Sequence, residues 1–461
     1  LVLTNWTGTT GFVMALAAYI LSKLGARRAG ARPIHWPTLI GIGAIAYLIA
    51  SPWIPPSEIH LIQIASATLE ITLTTRQKFY TLIPFAILLI TLHQILKRRQ
   101  THPWLRFFIY YMFITGAVVA TDKLGLPLIP IGHRFHLEFE IAASGVAAYI
   151  AWTLAMRWPQ RIQIAAACVA ALAVALQARH YRNYADDLDY PIDFTTTAEY
   201  KLSKGIAASL NGERVFATGS TSSWMNLYSD TPQFFGCCEQ SILADQFRMA
   251  IYQIHTGDGA KDRDAEITTM WLKAYGASAV AVQASGTAQF GQPFVNPKKF
   301  DGYLKEIWRD GDNVIYRVPR PSPSLAHVIN RTSLMYRSPE NGIDTKTLSP
   351  FIDALDHPAS LATMRWLNQH EIEITATTEP NQVIYLQQTY DNGWHAYDNV
   401  AELQITRDIL NLTVINPGVP GPHKIKMIYS GDEEDGLADI AHYLGIALLL
   451  LSTYRARKTA S

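Results

Sequence analysis

Apolar residues are segregated along this chain, and that segregation limits its fold more than any motif does. Seven stretches, 9–26, 36–54, 79–96, 104–121, 139–156, 162–179 and 437–454, are dominated by Ile, Leu, Ala, Val, Phe and Tyr. Each is at or just under the ~20 residues that cross roughly 30 Å of hydrocarbon. Trp36, Trp53, Trp104 and Trp158 stand at their edges, where interfacial aromatics anchor a span. A single such stretch also fits a buried helix of a globular protein. Seven in one chain, six of them before residue 182, point to membrane spans. The overall 49% hydrophobic content and net charge of +1 average over this region and a soluble-looking region from about 185 to 435. The chain opens on Leu and enters an apolar stretch without a basic n-region or cleavage site, so it reads as the C-terminal part of a longer protein.

Charge then orients the spans. Lys23, Arg27, Arg28 and Arg32 lie in one connection, Lys97, Arg98, Arg99 and Arg106 in another, Arg157 and Arg161 in a third, and Arg455, Arg457 and Lys458 in the tail. No acidic residue interrupts these four segments, which alternate correctly with seven spans. By the positive-inside rule they are cytoplasmic. The connections 55–78 and 122–138 carry Glu58, Glu70, Asp122 and Glu138, and with the region 185–435 they face outward.

The outward region reads as two pieces. In 183–320, "TAEYKLSKGIAASLN" has helical spacing, "RVFATG" is a short strand, and "TTMWLKAYGASAVAVQ" is a helix, a glycine stop and a strand. Such repetition predicts an α/β layer. In 321–435, "EIEITATT", "QVIYLQQTY", "ELQITRD", "LNLTVINP" and "HKIKMIYS" alternate like strands of a small β-sandwich. "PRPSPS" at 319–324 is a linker or an extended surface crossing.

Chemical motifs here are weak one by one. "ATGSTSSW" follows a strand as a nucleophile elbow does, but G-x-S-x-G spacing is absent, and a loop held by its own hydroxyls is the simpler reading. Cys237 and Cys238 are adjacent, which normal disulfide geometry disfavours, and Cys168 falls within a span. His255, Asp258, Asp262 and Asp264 offer cation ligands without Ca²⁺-loop spacing, so a solvated loop is preferred. In "YDNGWHAY", Trp394, His395 and Tyr397 follow a turn and suit either stacking on a sugar or a sandwich edge. Asn330 and Asn411 lie in N-x-T sequons.

"ERVFATGSTSSWMNLYSDTPQFFG", "WLKAYGASAVAV", "VIYRVPRPSPSLAHVI" and "QQTYDNGWHAY" together resemble landmarks of bacterial multispanning proteins that carry the label 6-pyruvoyl-tetrahydropterin synthase-related and are similar in plan to YfhO-type membrane proteins. The resemblance covers most of the chain from about 130 onward. It implies a GT-C glycosyltransferase plan in the bacterial cytoplasmic membrane: a helical bundle, a polyprenyl-phosphate-linked sugar as donor, an envelope glycan or lipid as acceptor, and an outward active site. Pterin chemistry is not implied, because the trio of zinc-binding histidines is missing. The catalytic acid of GT-C enzymes usually lies in the first outward loop, so it carries over onto no residue here.

Such a transfer needs positive charge at the leaving phosphate and a carboxylate beside the acceptor hydroxyl. Outward candidates are Glu58, His60, Glu70, Arg76, Lys78, Asp122, Lys123, His133, Arg134, His136, Glu138 and Glu140. The last five sit together in "GHRFHLEFE", at the mouth of the fifth span. If 133–140 is helical, Arg134 and Glu138 are i, i+4, as are His136 and Glu140, and His133, His136 and Glu140 share a face. Three readings stay open: an interfacial anchor, a substrate-site edge with Arg134 on a lipid phosphate, and a divalent metal on His133, His136 and Glu140 without a fourth ligand. In the last span, Asp439 reads as a near-surface acid and His442 as bundle-facing.

The expectation is therefore an integral membrane α-helical bundle with seven visible spans (1–182 and 436–461), carrying an extracytoplasmic α/β region (183–320) and a C-terminal β-sandwich (321–435). Glu138 and Glu140 are the candidate catalytic carboxylates, and Arg134, His133, His136, Trp394 and His395 the candidate substrate contacts. No cofactor and no nucleic-acid partner is expected. The alternative is a non-catalytic envelope assembly factor that binds polysaccharide through the outer domain.

Overall fold

The computed structural model describes residues 6–24, 35–60, 75–99, 101–126, 128–129, 132–188, 192–217, 219–234, 244–283 and 294–460. It forms two compact units, Leu1–Pro191 with Glu434–Ser461, and Ile192–Glu433. Cys237, Cys238 and Glu70 lie outside the described residues.

The first unit is helical: α1 (Trp6–Leu24), α2 (Trp36–Ala50), α3 (Thr75–Arg98), α4 (Pro103–Lys123), α5 (His136–Ala155), α6 (Gln160–Leu188) and a C-terminal helix, Glu433–Ala460. Among the described residues, four segments are long and apolar enough to cross a membrane: Phe79–Arg98, Pro103–Lys123, Gln160–Asp186 and Glu433–Arg455. Gly8–Leu24 and Trp36–Ala50 are shorter apolar helices. Helix α5 has 20 residues, with Glu138 and Glu140 near its start, and is not among the four. Ile87, Leu88, Ile150, Val169 and Leu172 are exposed, as side chains facing lipid are. Cys168 is likewise exposed, on α6.

Helices α1, α4 and α5 share a core of Met14, Ala18, Tyr110, Tyr111, Val118, Phe135 and Ala142. Gly145 permits the tight approach of α5 to α4, since a Cβ there would lie 2.3 Å from the Phe108 ring. The C-terminal helix packs on α2: Ser51 Oγ donates to Ala438 O (2.8 Å), and His442 Nδ1 lies 2.6 Å from Ile49 O. His442 thus faces the bundle, while Asp439 is exposed. A void of about 200 Å³ between Lys23 of α1 and Trp104 of α4 places those two helix ends side by side. At the opposite ends of the same helices, Gly11 meets Glu138 and Asp122 meets His133.

The second unit begins with a four-stranded sheet in the order β1-β2-β4-β3, built from Val215–Ala217 (β1), Ala279–Val282 (β2), Lys305–Asp310 (β3) and Asn313–Arg317 (β4). Strands β1 and β2 are parallel, and the other pairs antiparallel. Side chains alternate across the sheet as strand geometry requires. Val215, Ala217, Ala279 and Ala281 face Leu202 and Ile206 of helix α7 (Ala198–Ser209). Phe216, Val280 and Val282 face the other way, into a core with helices α9 (Asp245–Thr256) and α10 (Asp264–Ala274), which follow the short α8 (Gly219–Trp224).

The rest of this unit is one antiparallel sheet in the order β6-β5-β9-β12-β11-β10-β13-β8-β7. Its strands are Ala326–Asn330 (β5), Ser360–Leu361 (β6), Thr363–Asn368 (β7), Glu371–Thr378 (β8), Gln382–Thr389 (β9), Trp394–Asp398 (β10), Ala401–Arg407 (β11), Leu412–Asn416 (β12) and Gly421–Tyr429 (β13). Val328, Ile384, Ile415, Ile374, Ile425 and Met427, drawn from distant strands in that order, share one core. The sheet is therefore rolled nearly into a barrel, where the sequence suggested a sandwich. Helix α11 (Thr345–Asp356) covers its other face, with Phe351 edge-on to Tyr385 at 5.3 Å.

The α/β layer and the rolled sheet share a core, in which Trp271, Tyr275, Val383, Tyr385 and Leu412 are all buried. Polar groups lock the junction. Gln387 Nε2 donates to Lys273 O (2.6 Å) and Ala274 O (3.0 Å), carbonyls at the end of α10. Its Oε1 accepts from Arg320 (2.8 Å) and lies 3.0 Å from His327 Nε2. Arg214 donates to Tyr275 O (3.0 Å) and Gln387 O (2.6 Å). Arg320, in the stretch that reads as a linker, also donates to Gly276 O (2.9 Å) and Ser324 O (2.8 Å). Burial pulls both guanidinium pKa values down to about 10.

Two outcomes test this junction. Gln387→Ala takes one partner from Arg320 and leaves His327 Nε2 and the Ala274 carbonyl without theirs, and should lower stability by about 3 kcal/mol, read from thermal unfolding of the purified chain. Burial holds the His327 pKa at about 4 against its ordinary 6.5. Stability from the neutral ring is present above pH 6.5 and is lost as pH falls through 4. The unfolding midpoint should drop over that window, and less steeply in His327→Gln.

Candidate functional site

Of the candidates that the charge pattern marks as outward, those of "GHRFHLEFE" stand at the start of α5. Gly132–Phe135 is a single 3-10 turn, and the α-helix begins only at His136. The cause is close packing on α4: a Cβ on Gly132 would meet Asp122 Cβ at 2.9 Å and Val118 O at 3.0 Å. Phe135 is buried beneath the turn. The continuous helix over 133–140 is thus broken, and Arg134 and Glu138 make no ion pair. Instead Asp122 Oδ2 accepts from the His133 backbone N–H (2.9 Å) and lies 3.1 Å from its Nδ1. His136 Nδ1 lies 3.0 Å from His133 O. Arg134, His136 and Glu140 are exposed. His133, His136 and Glu140 do not converge, and no group of three or more metal-ligating side chains occurs among the described residues.

Glu138 differs from its neighbours. It turns toward α1, where its Oε1 would lie 3.2 Å from a Cβ on Gly11. Its Oε2 is buried and has no hydrogen-bond partner among the described residues. A buried carboxylate oxygen in that state is unfavourable, so the position carries a local stability cost.

Trp394 and His395 are neighbours on β10, and neighbours on a strand point to opposite faces. Trp394 packs toward the roll's interior, edge-on to Tyr429 (5.3 Å) and to the part-exposed Trp366 (5.9 Å). His395 turns outward, with Nδ1 3.1 Å from Glu402 Oε1. They do not grip one sugar together.

Asp264 is not in a solvated loop. Lys299, which the sequence reading did not single out, donates to Asp264 Oδ1 (2.9 Å), Thr268 Oγ1 (2.9 Å) and Ile254 O (2.6 Å) in the core. Its Nζ also lies over the Phe294 and Phe300 rings. Burial lowers the Lys299 pKa, with Asp264 opposing that shift. The cation suggested by those acids is an ammonium.

The sequence reading also missed Glu199, Trp224 and Gln283, which the fold gathers around Ser220 at the carboxyl end of β1 and β2. The strand–turn–helix order of "RVFATGSTSSW" was the available signal. No protein-family model, no curated protein and no solved structure matches this chain.

Replacing Glu138 by Gln removes the partnerless carboxylate while keeping its volume. The unfolding midpoint of Glu138→Gln in detergent should rise, by the equivalent of about 1 kcal/mol. A lower midpoint would show that the carboxylate stabilises the bundle.

Proposed function

We propose that the protein is a GT-C-like membrane glycosyltransferase that moves a sugar from a polyprenyl-phosphate donor to an envelope glycan or lipid, with Glu138 as the base. On this reading all seven apolar stretches cross the bacterial cytoplasmic membrane and the start of α5 faces outward. The observation that carries it is the buried, partnerless Oε2 of Glu138 at the mouth of a helix bundle. Carboxylates at such depth are rare and serve pathways or chemistry.

The acceptor hydroxyl oxygen bonds to the anomeric carbon of the donor sugar, and its proton passes to Glu138. The bond from that carbon to the phosphate oxygen breaks, and the electron pair leaves with the polyprenyl phosphate. Arg134, exposed on the turn before α5, supplies positive charge to that phosphate. Asp122 holds His133 in place beside it. Glu140 and His136, exposed on the first turns of α5, contact the acceptor. The second reading, a non-catalytic assembly factor that holds polysaccharide, draws on the part-exposed aromatic group of Trp366, Trp394 and Tyr429.

The test is transfer of labelled sugar from a polyprenyl-phosphate donor by the protein in liposomes, with envelope glycan as acceptor. Glu138→Gln should lower kcat by roughly 10²–10⁴. Arg134→Ala should mainly raise the donor KM. Full turnover in a stably inserted Glu138→Gln variant sinks the catalytic reading.

A further inference from the structure

The second unit contains an open pocket of about 480 Å³ lined by Ile192, Phe194, Thr197, Glu199, Trp224 and Tyr228. That is within the roughly 300–1,000 Å³ of small-molecule sites. The parallel strands β1 and β2 end at Ala217 and Val282, so their carboxyl ends lie at one edge of the sheet. Ligand crevices of α/β layers form at such edges.

A built polar network holds the one carboxylate of this pocket. Ser220 Oγ donates to Glu199 Oε1. Gln283 Nε2 donates to Ser220 Oγ (2.9 Å), and Gln283 Oε1 accepts from the Thr221 N–H (3.3 Å) and Oγ1 (3.2 Å). Ser220, Thr221 and Gln283 are buried, at 3%, 0% and 4% exposure. One oxygen of Glu199 is thereby fixed, and its Oε2 has no hydrogen-bond partner among the described residues. Aromatic surface flanks it: Phe194 and Trp224 remain 54% and 51% exposed. Phe194 and Tyr228 lie nearly parallel, 8° apart in plane. Next to them, the Lys204 ammonium donates to Tyr228 O (3.0 Å) and lies over the Tyr200 ring, adding positive charge beside the rim.

We propose that this pocket binds a pyranose ring of a neutral glycan. The apolar C–H face of a sugar stacks on exposed aromatic rings, and its hydroxyls donate to the unpaired carboxylate oxygen. A free cation is disfavoured by Lys204, and an anion by Glu199. The proposal is independent of the transfer reading, because the pocket holds a glycan whether or not Glu138 works as a base.

The probes are cellobiose, chitobiose and maltose, titrated by calorimetry and saturation-transfer NMR against the full chain in a detergent without a sugar headgroup. At least one should bind at millimolar concentration. Trp224→Ala and Glu199→Gln should each weaken binding about tenfold or more, the equivalent of 1.4 kcal/mol. Ser220→Ala, which frees the carboxylate, should weaken it less, and Trp366→Ala should not change it. Glu199→Gln keeps the side-chain volume, so it remains informative if Trp224→Ala misfolds. Failure of all three saccharides to bind overturns the proposal, as does binding that Glu199→Gln leaves intact. Absent saccharide binding together with weaker liposome association of Trp224→Ala would assign the aromatic rim to a lipid surface and also overturn it.

Discussion

The side-chain amide of Gln387 is the contact on which the second unit depends. Its two donors and its oxygen are all engaged, by the end of α10 on one side and by Arg320 and His327 on the other. Such a group is costly to strand and rigid when satisfied. It also fixes the neighbouring backbone. Gly276 has φ +76°, and a Cβ there would lie 2.7 Å from Gln387 Oε1. The glycine that stops α10 is thus also the point at which β9 is pressed against the α/β layer. The buried apolar surface of Trp271, Tyr275 and Tyr385 then has one register in which to pack.

Two carboxylates show how differently burial is managed. Asp264 meets Lys299 and Thr268, so its charge is compensated, and Lys299 has three acceptors for its three protons. Asp408 receives the Leu412 N–H (2.7 Å) and the Tyr385 hydroxyl (2.8 Å), yet burial still lifts its pKa to about 6. Both serve the core. Glu138 has neither a cation nor a donor on its buried oxygen, and it lies at a helix mouth rather than within a packed layer. That asymmetry, more than the density of charge around it, separates Glu138 from the structural acids.

Local periodicity was the part of this fold open to sequence. Strand β8 coincides with "EIEITATT", and the helix–glycine–strand order of "TTMWLKAYGASAVAVQ" reappears as α10, Gly276 and β2. Strands β5, β6 and β7 were not recognised, and β10 reads from sequence as either a sheet edge or a sugar contact: β6 has two residues, and β7 is largely exposed and so lacks a buried alternating face. The i, i+4 pairing of Arg134 with Glu138 failed because Gly132 packs on Asp122, a contact across 10 residues that periodicity does not see. Reading "PRPSPS" as a linker failed for a related reason. Pro and Ser there mark an extended crossing, but two partners of Arg320, Gly276 and Gln387, lie 44 and 67 residues away along the chain.

The Glu199 network has the same origin. Ser220 is 21 residues from Glu199 and 63 from Gln283, and no spacing rule links them. Only the parallel pairing of β1 with β2, with Val215 opposite Ala279 and Ala217 opposite Ala281, brings both strand ends to one edge. An antiparallel pair would have sent Gln283 to the opposite edge, away from Ser220. The hydroxyls of the turn after β1 then find acceptors in three places: Glu199 of α7 for Ser220, Gln283 after β2 for Thr221 and Gly219 O of the turn itself for Ser222. "GSTSSW" is thus partly a self-satisfied loop, with Ser222 Oγ donating to Gly219 O (2.8 Å), while Ser220 and Thr221 reach across to Glu199 and Gln283.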